Sequence, residues 1–301
     1  MLFRVMTLSA VLSLGLIPFP HDLQVAAEES QGFTAIDEEA YVPDGQQAPC
    51  SERYARRTPL GIADIGSGRS VSDGLKKMRA SDLWGIDENV RIDTRNGKHP
   101  VVIEVTYPEG SYAPGADDAP RGGAGFHAEF PNAPDVETAC LRYAVRFPAG
   151  FDFVKGGKLP GLYGGTPPSG GGDVTGQNGF STRFMWREDG QGEVYAYIVN
   201  KPEDYGTSIG RGAWQFPTDQ WIVLEQEVLL NDPGTANGVL NVWVDGRQTI
   251  EQTDIVYRTT DSLSIDGLMF STFFGGGDES WATPKDQTIE FADFEFFLPE
   301  Q

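Results

Sequence analysis

From about residue 90 onward, apolar and polar positions alternate with a period of two, the signature of half-buried strands. Residues 101–107 place Val101, Ile103, Val105 and Tyr107 on one face. Residues 138–147 place Leu141, Tyr143, Val145 and Phe147 on one face and Arg142, Ala144 and Arg146 on the other. Residues 125–130 read as the strand that pairs with them. Further strands follow at 221–230, at 238–247 with an Asp245-Gly246 turn, at 267–274 and at 288–298. In the last of these, Ile289 to Phe296 is read as alternating apolar with acidic residues. Segments 181–187 and 193–199 flank a polar loop containing two glycines, so they predict a hairpin. Symmetrical closure puts Arg183 opposite Tyr197 and Arg187 opposite Glu193, with Phe184, Trp186, Ala196 and Ile198 turned to the core. A short helix is expected within 72–83, with Asp73 near its start and Lys76, Lys77 and Arg79 further on. No repeat of fixed period and no linker interrupts the β-rich part. The prediction is an all-β fold: a single jelly-roll β-sandwich of two antiparallel sheets over residues 50–301.

Composition supports this pattern. With 301 residues, 39% of them apolar, the chain can bury a sizeable core, and 37 glycines with 20 prolines imply many turns. The first 27 residues read as a secretory signal peptide. Arg4 supplies a positive start, 5–19 an apolar stretch short of a comfortable bilayer span, and Val25-Ala26-Ala27 a small-residue cleavage site. The expected location is therefore secreted, extracellular. Residues 28–49 are acidic and poor in large apolar side chains, and read as a flexible leader. Cys50 and Cys140 are the only cysteines, and in an oxidising compartment such a pair forms one disulfide. Without clustered histidines they do not suggest zinc, and neither a metal nor a cofactor is expected.

Charge narrows the partners. The net charge of −21, from 23 basic and 44 acidic residues, argues against nucleic acid and against anionic membranes. Basic side chains nevertheless gather between Lys155 and Lys201, including Lys158, Arg183 and Arg187, and tyrosines Tyr195 and Tyr197 lie among them. Site chemistry is set within a Debye length, so a local cationic cleft is compatible with an acidic protein. Glycines around Lys158, read as a loop, would let backbone approach a ligand closely.

The run Gly156-Gly157-Lys158-Leu159-Pro160-Gly161-Leu162-Tyr163-Gly164-Gly165 resembles the signature loop of polysaccharide lyase family 14, alginate and glucuronan lyases of viral and molluscan origin. The jelly-roll style is shared with the glucuronan lyases of family 20. Ser181-x-Arg183 and Tyr195-x-Tyr197 follow in the order and near-spacing of that family's active-site Ser, Arg and paired Tyr, and Lys158 matches its cleft lysine. The later stretches 238–246 and 271–276 also resemble its strands, so the likeness spans roughly 90–298. A longer glycine-rich insert at 166–179 departs from the pattern and bears on the cleft mouth.

The resemblance implies a lyase that cleaves an acidic polyuronate by β-elimination, and the chain is expected to act as a monomer. Removing the proton alpha to a carboxylate requires that the carboxylate's charge be neutralised. Arg183 can grip it in fork geometry, with Ser181 adding a hydrogen bond. Tyr197 is the first choice for base or acid, with Tyr195 as partner, on the expectation that a neighbouring cation eases loss of a phenolic proton. Lys158 assists, Arg187 and Lys155 bind substrate, and His127 is a reserve base. Two alternatives remain open from the residues: a non-catalytic carbohydrate-binding jelly roll, and a glycoside hydrolase using Glu225 and Glu227, which share a strand face at i, i+2.

Overall fold

The computed structural model describes residues 33–36 and 46–300, apart from 62–64, 66–69, 96, 132, 134 and 202–204. The expected signal peptide lies outside the described residues, as do 28–32 and 37–45 of the expected leader. Where that leader is described it is held by hydrogen bonds. Ile36 is buried and its N–H donates to the Asn200 carbonyl at 3.2 Å, while the Gln47 N–H donates to Gln248 Oε1 at 3.0 Å.

Two antiparallel sheets face each other. The first has the order β13 (Arg247–Ile255), β12 (Gly238–Val244), β11 (Trp221–Leu229), β6 (Thr138–Arg146), β15 (Gln287–Leu298), β4 (Val101–Tyr107) and β3 (Val90–Thr94), with β1 (Arg56–Pro59) also paired to β15. The second runs β10 (Thr207–Gln215), β9 (Gln191–Tyr197), β8 (Gly179–Arg187), β7 (Gly156–Gly165), β14 (Gly267–Phe274), β5 (Ala124–Glu129) and β2 (Ser81–Trp84). Strands β5 and β6 do not pair with each other as expected: β5 lies between β14 and β2, and β6 between β11 and β15. Their apolar faces meet across the core instead, with Phe126 and Ala128 of β5 and Leu141, Tyr143 and Val145 of β6 in one cluster. The helix at Val71–Lys77 is capped by Ser70, whose hydroxyl accepts the Asp73 N–H at 3.2 Å.

The inward faces follow the alternation of the sequence. Ile103, Val105, Tyr107, Leu141, Tyr143 and Val145 of the first sheet share one core with Phe184, Trp186, Val194, Ala196 and Phe270 of the second. Burying each such side chain contributes about 1.5–3 kcal/mol, so this interface dominates the stability of the sandwich. Along β15 the core positions are Ile289 and Phe291, then Phe294 and Phe296. That change of phase is taken up by a bulge between Ala292 and Glu295, with Asp293 at φ 54°.

Outside the first sheet, a one-turn helix, α1 (Cys50–Arg53), covers β6 and β11. Cys50 is disulfide-bonded to Cys140, with Cα atoms 5.9 Å apart, and Trp243 and Phe297 pack around the bridge. Beside it, Glu225 meets Arg142 at 3.3 Å, and Glu227 is held by Arg53 at 2.6 Å, by Asn241 at 2.8 Å and by the Tyr54 hydroxyl. Glu290 and Glu295 are likewise neutralised by Arg146 and Arg142. Glu225, Glu290 and Glu295 are thus matched by arginines of the neighbouring strand β6, and Glu227 by an arginine of α1.

Candidate active site

The site is built on the outward face of the second sheet and begins with a bulge in β7. Leu159 and Leu162 both enter the core, which simple alternation forbids, and the pairing slips between Lys158 and Gly161. Proline, which lacks an N–H, is tolerated at such a bulge. The Pro160 carbonyl accepts the Tyr143 hydroxyl at 3.0 Å. Gln226, buried between the sheets, accepts the Leu162 N–H at 3.0 Å and donates to the Thr182 carbonyl at 2.8 Å. These partners fix the bulge, which leaves Lys158 and Tyr163 on the outward face. The glycine-rich stretch expected as a loop is thus an interior strand. A side chain at Gly157 would sit 2.1 Å from the Trp186 ring, so glycine here makes room for a core tryptophan.

The hairpin of β8 and β9 has the expected faces and a different register. Ser181 lies opposite Tyr197, Arg183 opposite Tyr195, and Met185 opposite Glu193. The shift is two residues, because Glu188–Gly190 closes the turn as a single 3-10 turn with Asp189 at φ 57°. Arg187 still reaches Glu193, at 2.7 Å, along the diagonal.

A cleft of about 1470 Å³ runs over these strands. Lys158, Arg183, Arg187, Tyr195, Tyr197 and His127 all line it, so the structure brings together six of the eight expected site residues. Two stand apart. The Ser181 hydroxyl is buried and donates to the Pro168 carbonyl at 3.0 Å, and Lys155 donates to Ser280 at 2.5 Å beside the Trp281 ring. Glu225 and Glu227 lie on the other sheet and are absorbed in the ion pairs above, which removes them as a glycosidase pair at this cleft.

Arg183 is 2% exposed, and among the described residues it has no carboxylate partner. Its one hydrogen bond is a long 3.4 Å contact to Ser271, and its Nε has no partner. Burial draws its pKa down to about 10, partly offset by Tyr197 and Tyr195, and it remains cationic at neutral pH. Lys158 is also buried. Its Nζ donates to the Met185 thioether at 2.9 Å and lies 4.0 Å from the Tyr195 ring centroid. Burial and then the charges of Arg183 and Arg187 hold its pKa well below the usual lysine range.

Cations do not acidify Tyr195 as expected. Burial and then Tyr197 push it up to about 12, outweighing Arg187 and Arg183. The Tyr197 hydroxyl accepts the Gly171 N–H at 3.0 Å, so the insert at 166–179 reaches directly onto the tyrosine pair. On the far side of β14, His127 Nδ1 is 2.9 Å from Asp82 Oδ2, and its ring lies 4.9 Å from that of Tyr163. Burial lowers the His127 pKa against the pull of Asp82.

Sequence reading missed Met185, Ser271 and Arg211. Arg211 lines the cleft from β10 and holds Glu193 Oε2 at 2.8 Å. Its signal was present, as an arginine between Gly210 and Gly212. These two glycines have φ of 68° and 79°, where the β10–β9 register slips between Ile209 and Trp214. Among the residues lining the cleft, four basic side chains face one acidic one, Asp82.

Residues 95–294 match the family model described as Polysaccharide lyase 14. Among solved structures, the marine PL-14 alginate lyase from Aplysia kurodai is 31% identical with a TM-score of 0.67, covering 82% of this chain and 99% of that one. The alginate lyase vAL-1 from Chlorella virus is 22% identical with a TM-score of 0.65, covering 80% and 98%. A doubly substituted form of the alginate lyase Aly36B, in complex with an alginate tetrasaccharide, is 19% identical with a TM-score of 0.66, covering 81% and 98%. No curated protein sequence matches the chain. The matched model spans about two thirds of the chain and the Aplysia enzyme, 31% identical, covers 82% of it, and on those grounds this protein belongs to polysaccharide lyase family 14 and is a polysaccharide lyase.

Proposed function

We propose that this lyase cleaves an acidic polyuronate of the alginate type by β-elimination in the cleft over β7, β8 and β9. The observation that carries the reading is Arg183, a buried guanidinium without an anion at the base of that cleft. A buried unpaired cation is costly, and a uronate carboxylate is the planar anion that its fork geometry fits. The alginate lyases of similar fold support the same substrate class.

Arg183 takes up the negative charge that develops on the carboxylate as C5 loses its proton. Lys158, poor in protons through burial, supplies the amine lone pair that accepts that proton. The C5–H electron pair forms the C4=C5 bond as the C4–O4 bond breaks. Tyr197 accepts Gly171 at its oxygen, so its own proton is free to pass to the departing O4. Tyr195, whose phenol keeps its proton, borders Lys158 and orients the sugar. The proton on Lys158 returns to the Tyr197 phenolate through water, which resets the site.

We propose secretion on two supports, the signal-like N-terminus and the Cys50–Cys140 disulfide, which suits an oxidising compartment. Among the described residues no helix is long and apolar enough to cross a membrane. Mass spectrometry of the products tests the reaction. Elimination yields fragments whose combined mass equals that of the polymer, whereas hydrolysis adds one water per cut and would overturn the reading.

A further inference from the structure

Beyond the reacting uronate, the cleft carries a second cationic feature at its β10 edge. Glu193 is completely buried, and each of its oxygens is claimed by an arginine: Oε1 by Arg187 at 2.7 Å and Oε2 by Arg211 at 2.8 Å. Both guanidiniums also share Ser208, whose Oγ accepts Arg211 Nη2 at 2.7 Å and Arg187 Nη2 at 3.2 Å. One carboxylate and one hydroxyl thus orient two arginines and leave one positive charge in excess. Neither Nη1 has a partner among the described residues, although both side chains line the cleft and Arg211 is 53% exposed. The glycine-flanked bulge of β10 is what turns Arg211 toward this side.

The pair adjoins the reaction centre. Arg187 lies 5.6 Å from the Tyr195 ring centroid, and Lys158 lies 4.0 Å from the same centroid. In the sheet, Arg183 pairs with Tyr195 and Tyr195 with Ser208, so β8 and β10 are separated by two strand spacings, about 9–10 Å. A polyuronate carries one carboxylate on every ring. A polymer whose reacting carboxylate sits on Arg183 and which runs across the strands therefore brings another carboxylate to the β10 edge.

We propose that Arg211, held with Arg187 by Glu193, binds the carboxylate of a uronate beyond the cleaved linkage and so selects polymer that is charged at that position. This rests on the polyuronate lyase reading. Charge-assisted hydrogen bonds of this kind are the strong ones, and half-exposure tempers the gain.

The test compares the unaltered protein with Arg211→Gln and Arg211→Lys on polymannuronate and polyguluronate at low and high salt. Arg211→Gln is expected to raise KM about tenfold, the equivalent of about 1.4 kcal/mol, with most of its effect in KM rather than kcat. The salt dependence of KM should become shallower, and Arg211→Lys should restore that dependence while recovering only part of KM. An Arg211→Gln protein with unaltered KM and salt dependence would overturn the proposal. So would an equal loss from Gln and Lys confined to kcat, which marks a purely structural role. Absence of unsaturated product from the unaltered protein would instead overturn the underlying reading, and the proposal with it.

Discussion

The amine of Lys158 lies 4.0 Å from the centroid of the Tyr195 ring and donates to the sulfur of Met185, so neither of these neighbours is an anion. Burial and the nearby arginines therefore favour its neutral form. If this amine is the base, activity grows as it loses its proton. The pH profile of kcat/KM should rise through an acidic limb placed well below the ordinary lysine range. Lys158→Met should abolish turnover at every pH. A limb near the pKa of free lysine would contradict the assignment.

The same burial has a stability signature. The folded pKa of Lys158 is lowered, so the unfolded chain binds more protons, and folding is penalised below the ordinary lysine pKa. The penalty is full below the folded pKa and fades as pH rises to the unfolded one. Lys158→Met should therefore raise Tm at neutral pH, by about 2–4 °C for each kcal/mol recovered in a domain of this size. Calorimetry across pH should show the gain shrinking toward alkaline conditions. A variant that is destabilised throughout would contradict this picture.

Arg183→Lys keeps a positive charge but loses the planar fork. Product formation should fall by about 100-fold, the scale for losing one preorganised electrostatic group. Steady-state kinetics on soluble polymer checks this, and a loss of only a few-fold would mean that charge alone suffices at this position.

Much of this arrangement was legible in the sequence. Period-two alternation located the core faces of β4, β6, β8 and β9, because strand geometry forces it. Strand pairing was less legible. Strands β5 and β6 are neighbours in sequence yet belong to different sheets, since alternation records a buried face and not the partner that buries it. The register of β8 on β9 depended on how tightly Glu188–Gly190 closes, which is a local turn property. Phase breaks carried information that went unused. Leu159 to Leu162 and Phe291 to Phe294 each step by three, and each marks a bulge. The raised Tyr195 and depressed Lys158 were out of reach, because burial sets both and the sequence does not state burial.

Glu227 belongs to the opposite sheet face, where Arg53, Tyr54 and Asn241 surround it. Glu227→Gln should cost about 1–3 kcal/mol of stability through its unsatisfied partners. The rate of product formation from the folded variant should stay at the level of the unaltered protein. Urea denaturation and activity assays separate the two effects, and lost turnover with intact stability would revive a role for this carboxylate.

The central claim is that Tyr197, Lys158 and Arg183 carry out an elimination in the β7–β9 cleft. Its most direct test is ultraviolet absorbance of the C4=C5 bond conjugated to carboxylate, followed for the unaltered protein and Tyr197→Phe on polymannuronate and polyguluronate. Circular dichroism confirms that the variant is folded. The account predicts unsaturated product from the unaltered protein. It also predicts a fall of about 100-fold or more in Tyr197→Phe, with polymer affinity little changed. Saturated products, or near-normal turnover by folded Tyr197→Phe, would contradict it.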